Sequence, residues 1–333
     1  MERYRAGIVG CGKIASEFAD DPNMKGDVFT HAEAYFRNPE TNLAAICDSD
    51  PAKLEQCGNR WNVEARYTDL QDMIVSENLD IVSVFTPDDT HYSVIKEILT
   101  LPKTVKLILC EKPLATSVEE AEKLIAISRE RNVVLSVVYM RRFAQNYRAL
   151  RDFIHSGQLG EVQAISGWYT KGVVHNGTHW FDALRFLVGE VDWVMSWQRC
   201  GEKLNDPTLD VILGVENGVL ASLRACDEKY FTIFDMDIQG TLGRIRLLDS
   251  GFQIEHSSVI DSERYSGYQE LKTTQKTFGD RKNLMLHAVE DAVSSLRTGK
   301  PPACTAEDGL EVLLIAASAL ESAQKAKVIR VHK

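Results

Sequence analysis

The chain has 333 residues, 44% hydrophobic and 26% charged, enough to bury a full core and a length that suits two domains better than one. Its formal charge of −10 argues against a nucleic-acid surface or an anionic membrane face, because a phosphate-binding face needs clustered Lys and Arg. Seven cysteines, at 11, 47, 57, 110, 200, 226 and 304, form no C-x-x-C pair and read as reduced thiols; with no apolar stretch behind Arg3 and Arg5, the expected compartment is the cytoplasm.

The first predicted element is a buried strand ending at Ile8 and Val9. Gly10, Gly12 and Ala15 follow at the three positions of a G-x-G-x-x-G/A fingerprint, and a helix is expected to begin there. Gly10 allows a tight turn, Gly12 lets the main chain approach a pyrophosphate, and the helix N-terminus offers unpaired N–H groups. A polar loop runs from Asp20 to Thr30, then a short amphipathic stretch from His31 to Arg37. The second strand, Asn42 to Cys47, ends at Asp48, where a carboxylate accepts hydrogen bonds from ribose hydroxyls; no Arg follows for a 2′-phosphate, which favours NAD over NADP. Asp50 and Pro51 then read as a helix cap and first helical residue.

Strands are predicted at Asp80–Phe85, Val105–Cys110 and Val133–Val138, separated by helical stretches, one of them opened by a Ser117/Glu120 capping box. Alternating strands and helices imply a doubly wound parallel sheet whose ligands sit at the carboxyl ends of the strands. The polar tips Thr86-Pro87-Asp88-Asp89-Thr90-His91 and Glu111-Lys112-Pro113 fall there. His91 also reads as a simple cap for the next helix.

From about Phe143 the pattern becomes that of an antiparallel sheet with one wet face. Asn217-Gly218 is a hairpin signal, Phe234, Met236 and Ile238 alternate with polar residues, and Ile245 and Leu247 alternate with Arg244 and Arg246. Two helices close the chain, the second opened by a Thr305/Asp308 box and carrying Leu310, Leu313, Leu314, Ala317 and Leu320 on one face. The expected fold class is therefore α/β: an N-terminal Rossmann domain over residues 1–140 and a C-terminal α+β domain over 141–333, with the last helix free to pack back on the first domain. The active site is expected in the crevice between them.

Taken in order, Gly10-Cys11-Gly12-Lys13-Ile14-Ala15, Asp48, Thr86-Pro87-Asp88-Asp89-Thr90-His91, Glu111-Lys112-Pro113 and His179-Trp180-Phe181-Asp182 resemble the Gfo/Idh/MocA oxidoreductases, and the resemblance covers nearly the whole chain. It implies a cofactor site built from Gly10, Gly12, Lys13, Ile14, Asp48, Thr86, Pro87, Asp88, His91, Glu111 and Lys112. Lys112 matches the family's catalytic lysine and His179 its second-domain histidine, a pair suited to moving the hydroxyl proton. Pro113 shapes the turn that aims Lys112, through a cis or a trans bond.

Where the family often has an aspartate, four residues before His179, this chain has His175, read as a substrate contact able to join the proton relay. His175 and His179 have the i, i+4 spacing of a metal pair, but no Glu lies between them and no third ligand follows, so no metal is expected. Tyr169, Lys171 and Asn176, with Trp168 beside them, complete the expected substrate set or else simply form sheet surface. The resemblance implies an NAD(P)-dependent dehydrogenase or reductase acting on a sugar, polyol or sugar derivative, with nucleotide sugars included. It also implies a homodimer or homotetramer. Two alternatives keep the fold: a glycosidase that retains NAD without net redox change, and a non-catalytic nucleotide sensor, which the presence of Lys112 disfavours.

Overall fold

The computed structural model describes residues 3–24, 27–102, 105–198, 206–278 and 283–332. The chain divides into two compact units, residues 1–143 with 281–310 and residues 144–280 with 311–333. Among the described residues no helix is long and apolar enough to cross a membrane. Six cysteines are free thiols, five of them buried; Cys200 lies outside the described residues.

The first unit holds β1 (Tyr4–Val9), α1 (His31–Arg37), β2 (Thr41–Cys47), α2 (Pro51–Trp61), β3 (Ala65–Tyr67), α3 (Leu70–Ser76), β4 (Ile81–Val84), α4 (His91–Thr100), β5 (Leu107–Glu111), α5 (Val118–Glu130) and β6 (Val134–Val138). The six strands form one parallel sheet in the order β3-β2-β1-β4-β5-β6, with Ile8 opposite both Ile46 and Ser83. Ala6, Ile8, Val82, Val84, Leu107 and Leu109 are fully buried, as strands covered on both faces require. The order reverses direction between β1 and β4, so the connections beyond their carboxyl ends leave to opposite sides, the switch point at which such sheets form a crevice.

Local sequence fixes the helix starts. Asp50 accepts from the Ala52 N–H at 2.9 Å with Pro51 as first helical residue, and Ser117 accepts from the Glu120 N–H at 3.3 Å. The Glu120 carboxylate takes the Thr116 hydroxyl at 3.0 Å, so the box at this helix closes through Thr116. Thr305 and Asp308 cap one another's main chain in both directions at the start of the last helix.

The second unit holds α6 (Gln145–His155), β7 (Val162–Tyr169), α7 (Thr178–Leu187), β8 (Val191–Trp197), β9 (Asp210–Val215), β10 (Leu220–Ala225), β11 (Phe234–Gly240), β12 (Gly243–Leu248), β13 (Gln253–Asp261) and β14 (Gln269–Phe278). After α8 (Leu284–Thr298) in the first unit, α9 (Ala306–Lys325) and β15 (Ile329–Arg330) complete the chain. Nine strands form a mixed, mostly antiparallel sheet in the order β14-β13-β12-β11-β7-β10-β9-β8-β15, in which β7 and β10 run parallel. The hairpin at 216–218 joins β9 to β10.

One face of this sheet is covered. Trp180 on α7 lies over Gly167, donates its indole N–H to the Asp235 carbonyl at 3.1 Å and is fully buried, with Phe181 and Leu184 beside it. The other face carries cross-strand ion pairs, Arg244 with Asp237 and Glu255 with both Arg246 and Lys276. Trp168, Leu220 and Met195 stand exposed on that open face.

Candidate active site

The glycine-rich turn follows β1. Gly10 has φ +92°, and a Cβ there would lie 2.7 Å from the Phe85 carbonyl group, so the position admits only glycine. Its N–H donates to the Cys47 carbonyl at 2.8 Å, tying the end of β1 to the end of β2. A Cβ at Gly12 would meet nothing within 4 Å; the turn therefore faces open space, which fits a diphosphate lying against the main chain. Lys13 is exposed and Ile14 half-buried beside it.

The expected helix after Ala15 is corrected by the structure. Ser16 N–H bonds the Gly12 carbonyl at 2.9 Å and Phe18 N–H that of Lys13 at 3.0 Å, but the coil tightens into a 3-10 turn at Glu17–Asp20 and stops. Asp20-Asp21-Pro22-Asn23 supplies turn-forming side chains and a proline without an N–H, which ends the helix. The helical path resumes at α1, where His31 and Ala32 donate to the carbonyls of Ile14 and Ala15 at 3.2 and 3.0 Å. The full helix dipole expected behind Gly12 is replaced by a single helical turn.

Asp48 sits at the tip of β2, half-buried. Its carboxylate accepts the Cys11 N–H at 2.6 Å and the Asp50 N–H at 2.8 Å, which locks it beside the glycine turn and leaves lone pairs on both oxygens for further donors. Burial, then the Asp48 charge, push the neighbouring Cys47 thiol up to about 12, and burial raises Cys110 likewise; both stay protonated at neutral pH and are not nucleophiles.

The tips of β4 and β5 lie side by side in the sheet, with Val84 opposite Cys110. Thr86 is half-buried and Pro87 and Asp88 are exposed; the Thr90 hydroxyl bonds the Pro87 carbonyl at 2.6 Å and the Thr86 hydroxyl at 2.7 Å, holding this turn closed. Glu111 and Lys112 are half-buried, and the Lys112–Pro113 peptide is cis. Glu111 takes the Lys112 N–H on one oxygen at 3.2 Å and the His31 ring at 3.1 Å on the other. The His91 ring is completely buried, its Nδ1 2.6 Å from the Pro113 carbonyl and its Nε2 2.9 Å from the Thr86 carbonyl. His91 therefore neither caps its helix nor presents its ring to the crevice; it holds main chain. The first unit thus gathers Gly10, Gly12, Asp48, Thr86, Glu111 and Lys112 at the carboxyl ends of β1, β2, β4 and β5.

In the second unit the histidines lie on one continuous helical stretch. A wider turn over Gly172–Gly177 carries His175, exposed, and α7 carries His179, half-buried. Lys171 precedes them, exposed and in the left-handed conformation at φ 67°. Asn176 donates its side-chain amide to the Thr170 carbonyl at 3.0 Å. Among the described residues no three His, Cys, Asp or Glu side chains cluster as a metal set.

Two expected substrate contacts are corrected. Tyr169 is fully buried, and its hydroxyl both donates to the Leu209 carbonyl at 2.8 Å and accepts the Leu209 N–H at 2.7 Å, so it is spent on fixing the strand. Trp168, one residue earlier, points to the open face of the sheet, because successive side chains on a strand alternate.

The triplet Asp206-Pro207-Thr208, which the sequence did not single out, starts this segment. Thr208 Oγ1 accepts the Gly172 N–H at 2.9 Å, the Pro207 carbonyl that of Val173 at 3.0 Å, and the Asp206 carboxylate those of Val174 and His175 at 2.8 Å each. Four successive N–H groups at the start of the helical stretch, those of Gly172 to His175, are thus satisfied from one loop. Gly172, at φ +78°, is required, since a Cβ would lie 2.0 Å from Asp206. Burial raises the Asp206 carboxyl above its usual range, opposed by those N–H bonds and by His175.

Comparison with known proteins places these features in a family. The model of an oxidoreductase family with an NAD-binding Rossmann fold matches residues 4–139, and that of the family's C-terminal alpha/beta domain matches residues 151–331. Myo-inositol 2-dehydrogenase of Thermotoga maritima is 22% identical over 99% of each chain, and the rhizopine catabolism protein MocA of Rhizobium meliloti is 26% identical over 96% of this chain and 95% of its own. Among solved structures, levoglucosan dehydrogenase in complex with NADH and L-sorbose superposes with a TM-score of 0.82 at 18% identity over all of both chains. The WlbA dehydrogenase of Bordetella pertussis, in complex with NADH and UDP-GlcNAcA, does so at 0.78 and 19% over 99% of each. With both of its domains matched, the chain belongs to the Gfo/Idh/MocA oxidoreductase family and carries that family's NAD(P)-binding Rossmann domain.

Proposed function

We propose that the protein is an NAD-dependent oxidoreductase acting on a hydroxyl or keto carbon of a sugar, polyol or sugar derivative. The observation that carries this reading is Lys112, fixed at the tip of β5 in the same sheet end as the open glycine turn and Asp48. When bound, the nicotinamide supplies the site that accepts or returns a hydride. The chain's own part is to hold the cofactor and to manage the proton. Gly10 and Gly12 leave the diphosphate main-chain N–H groups, and Asp48 offers its remaining lone pairs to the ribose hydroxyls. Its negative charge beside that ribose opposes a 2′-phosphate, which supports NAD over NADP.

Lys112 Nζ takes the hydroxyl proton in the oxidative direction, and in the second unit the His179 imidazole offers a hydrogen-bonding group suited to a substrate oxygen. His175 and Lys171, exposed on the adjoining segment, bond further hydroxyls; an aspartate at 175 would have offered a charge, and the imidazole offers a donor and an acceptor instead. The molecules in the relatives' names and complexes, myo-inositol, levoglucosan and UDP-GlcNAcA, all carry hydroxyls that such groups can bond. The open sheet face bearing Trp168, Leu220 and Met195 supports association as a homodimer or homotetramer.

The test is absorbance at the nicotinamide band with NAD and NADP in turn, across sugars, polyols, sugar phosphates and nucleotide sugars. A substrate-dependent rise, larger with NAD, is the expected result. A flat trace across the whole panel, from protein shown separately to bind NAD, would overturn the dehydrogenase reading.

A further inference from the structure

Two buried histidines of the first unit have no place in the proton chemistry, yet each one touches both strand tips that build the site. His31 stacks its ring on Phe85, centroids 3.9 Å apart at 20°, and bonds Glu111 Oε1 through Nε2 at 3.1 Å. His91 sets Nε2 2.9 Å from the Thr86 carbonyl and Nδ1 2.6 Å from the Pro113 carbonyl; the neutral ring carries one N–H, so it donates to one of these carbonyls and packs against the other. Both rings are fully buried. Phe85 and Thr86 follow β4; Glu111, the last residue of β5, and Pro113 flank Lys112.

We infer that His31 and His91 are a pair of positioning residues that brace the Lys112 turn against the cofactor-binding tip of β4. The two main-chain groups on either side of the Lys112 Cα are held in different ways. Its N–H is held by Glu111, whose other oxygen is held by His31; the carbonyl one residue beyond lies against His91, 2.6 Å from Nδ1. A residue serving only to fill the core would be an aliphatic or aromatic side chain, since an imidazole placed there must have its polar atoms satisfied. His31 meets that requirement on one side only. Its Nδ1 is buried with no hydrogen-bond partner among the described residues, which fits the tautomer with the proton on Nε2 and a bare lone pair on Nδ1. The ring is retained there despite that cost, and the bond to Glu111 is what it provides.

The inference rests on the reading of Lys112 as the proton-handling residue, but its test does not depend on turnover. Hydrogen exchange by mass spectrometry is measured on the full chain, for the wild type, His91→Phe and His31→Phe, without and with NADH. Acylation of lysines by acetic anhydride is counted in parallel, with exposed Lys123 as internal standard.

With His91→Phe, exchange is expected to rise on the order of tenfold in peptides covering both 84–88 and 110–114, and in α5 not at all. Labelling of Lys112 relative to Lys123 should change several-fold, and NADH should bind roughly tenfold more weakly. His31→Phe keeps the stack on Phe85 and should loosen 110–114 alone. Exchange raised evenly across the first unit would mean a purely structural role and overturn the inference, as would unchanged exchange at both tips. Should His91→Phe fail to fold, His91→Gln, whose amide can donate to one carbonyl but lacks the ring that packs against the second, is expected to raise exchange at one tip; unchanged exchange at both overturns it. Failure of the wild type to bind NADH would instead sink the cofactor reading and leave the coupled exchange of the two tips to be judged on its own.

Discussion

The two units hold their chemistry in opposite ways. In the first, Asp48, Thr86, Glu111 and Lys112 come to one place because parallel strands in register end there, with Asp48 fixed by the Cys11 N–H of the neighbouring tip and Thr86 and Lys112 by groups of their own turns. In the second, the histidine-bearing stretch starts with four N–H groups that its own sequence leaves bare, and a triplet 31 to 36 positions later satisfies them. The comparison teaches that a strand tip is positioned by the sheet, whereas a helix start is positioned by whatever caps it. The first arrangement should resist loss of one contact, and the second should fail when its cap fails.

The largest expected effect comes from the residue that the sheet positions for chemistry. Lys112→Ala should lower turnover by roughly 10²–10⁴-fold on a substrate found in the panel, with NADH affinity unchanged within about threefold. Fluorescence titration of NADH and initial rates together check this; weakened NADH binding with normal residual turnover would take Lys112 out of the proton step. Next is Gly10→Ala. The added Cβ meets the Phe85 main chain at 2.7 Å in a conformation at φ +92°, at a cost of about 3 kcal/mol, read as a fall in Tm on the order of 10 °C with loss of NADH binding. Main chain cannot step aside as a side-chain end can, so no partial relief is expected.

A cap acts differently. Asp206→Ala strands the Val174 and His175 N–H groups and should cost about 1–3 kcal/mol of stability in the second unit, a few degrees in Tm. Turnover should fall with it, since His175 and His179 lie just beyond the cap, while NADH affinity stays as in the wild type. A variant that loses NADH affinity instead would show that the comparison between the units is drawn in the wrong place.

The legibility of the sequence follows the same division. Five strands of the six-stranded sheet could be read because each is a short apolar run with a polar tip, and the tip's position in the motif fixes its place in space. Three-residue β3 and the exposed β14 had no such pattern: β14 alternates nothing, because most of its side chains meet solvent. Asp206-Pro207 illustrates the harder case. Read locally, an Asp-Pro pair announces a helix of its own, as Asp50-Pro51 does; here it caps a helical stretch in a distant part of the chain, and nothing in the spacing says so. Tyr169 failed for a related reason. Its place near the histidines in sequence suggested a substrate contact, but the alternation of the strand turned it inward, where the Leu209 main chain claims its hydroxyl. His31 carried no signal, because its partners, Phe85 and Glu111, are 54 and 80 positions away.

The smallest effect is one of pH, and it sharpens the description of the cap. Burial dominates the Asp206 carboxyl and raises it above the ordinary aspartate value of 3.8, against the pull of the N–H bonds and of His175. The folded unit then holds that proton more tightly than the unfolded chain does. Linkage gives the sign: the group adds stability as pH falls through the raised value towards 3.8 and loses it as pH climbs back. Melting curves of the wild type and Asp206→Ala from neutral pH down to about 4 should therefore draw further apart on acidification, since only the wild type gains from this proton. Curves that converge instead would mean that the charged carboxylate, with its bonds to Val174 and His175, outweighs the desolvation, and that the second unit is held by a cap stronger in its ionised form.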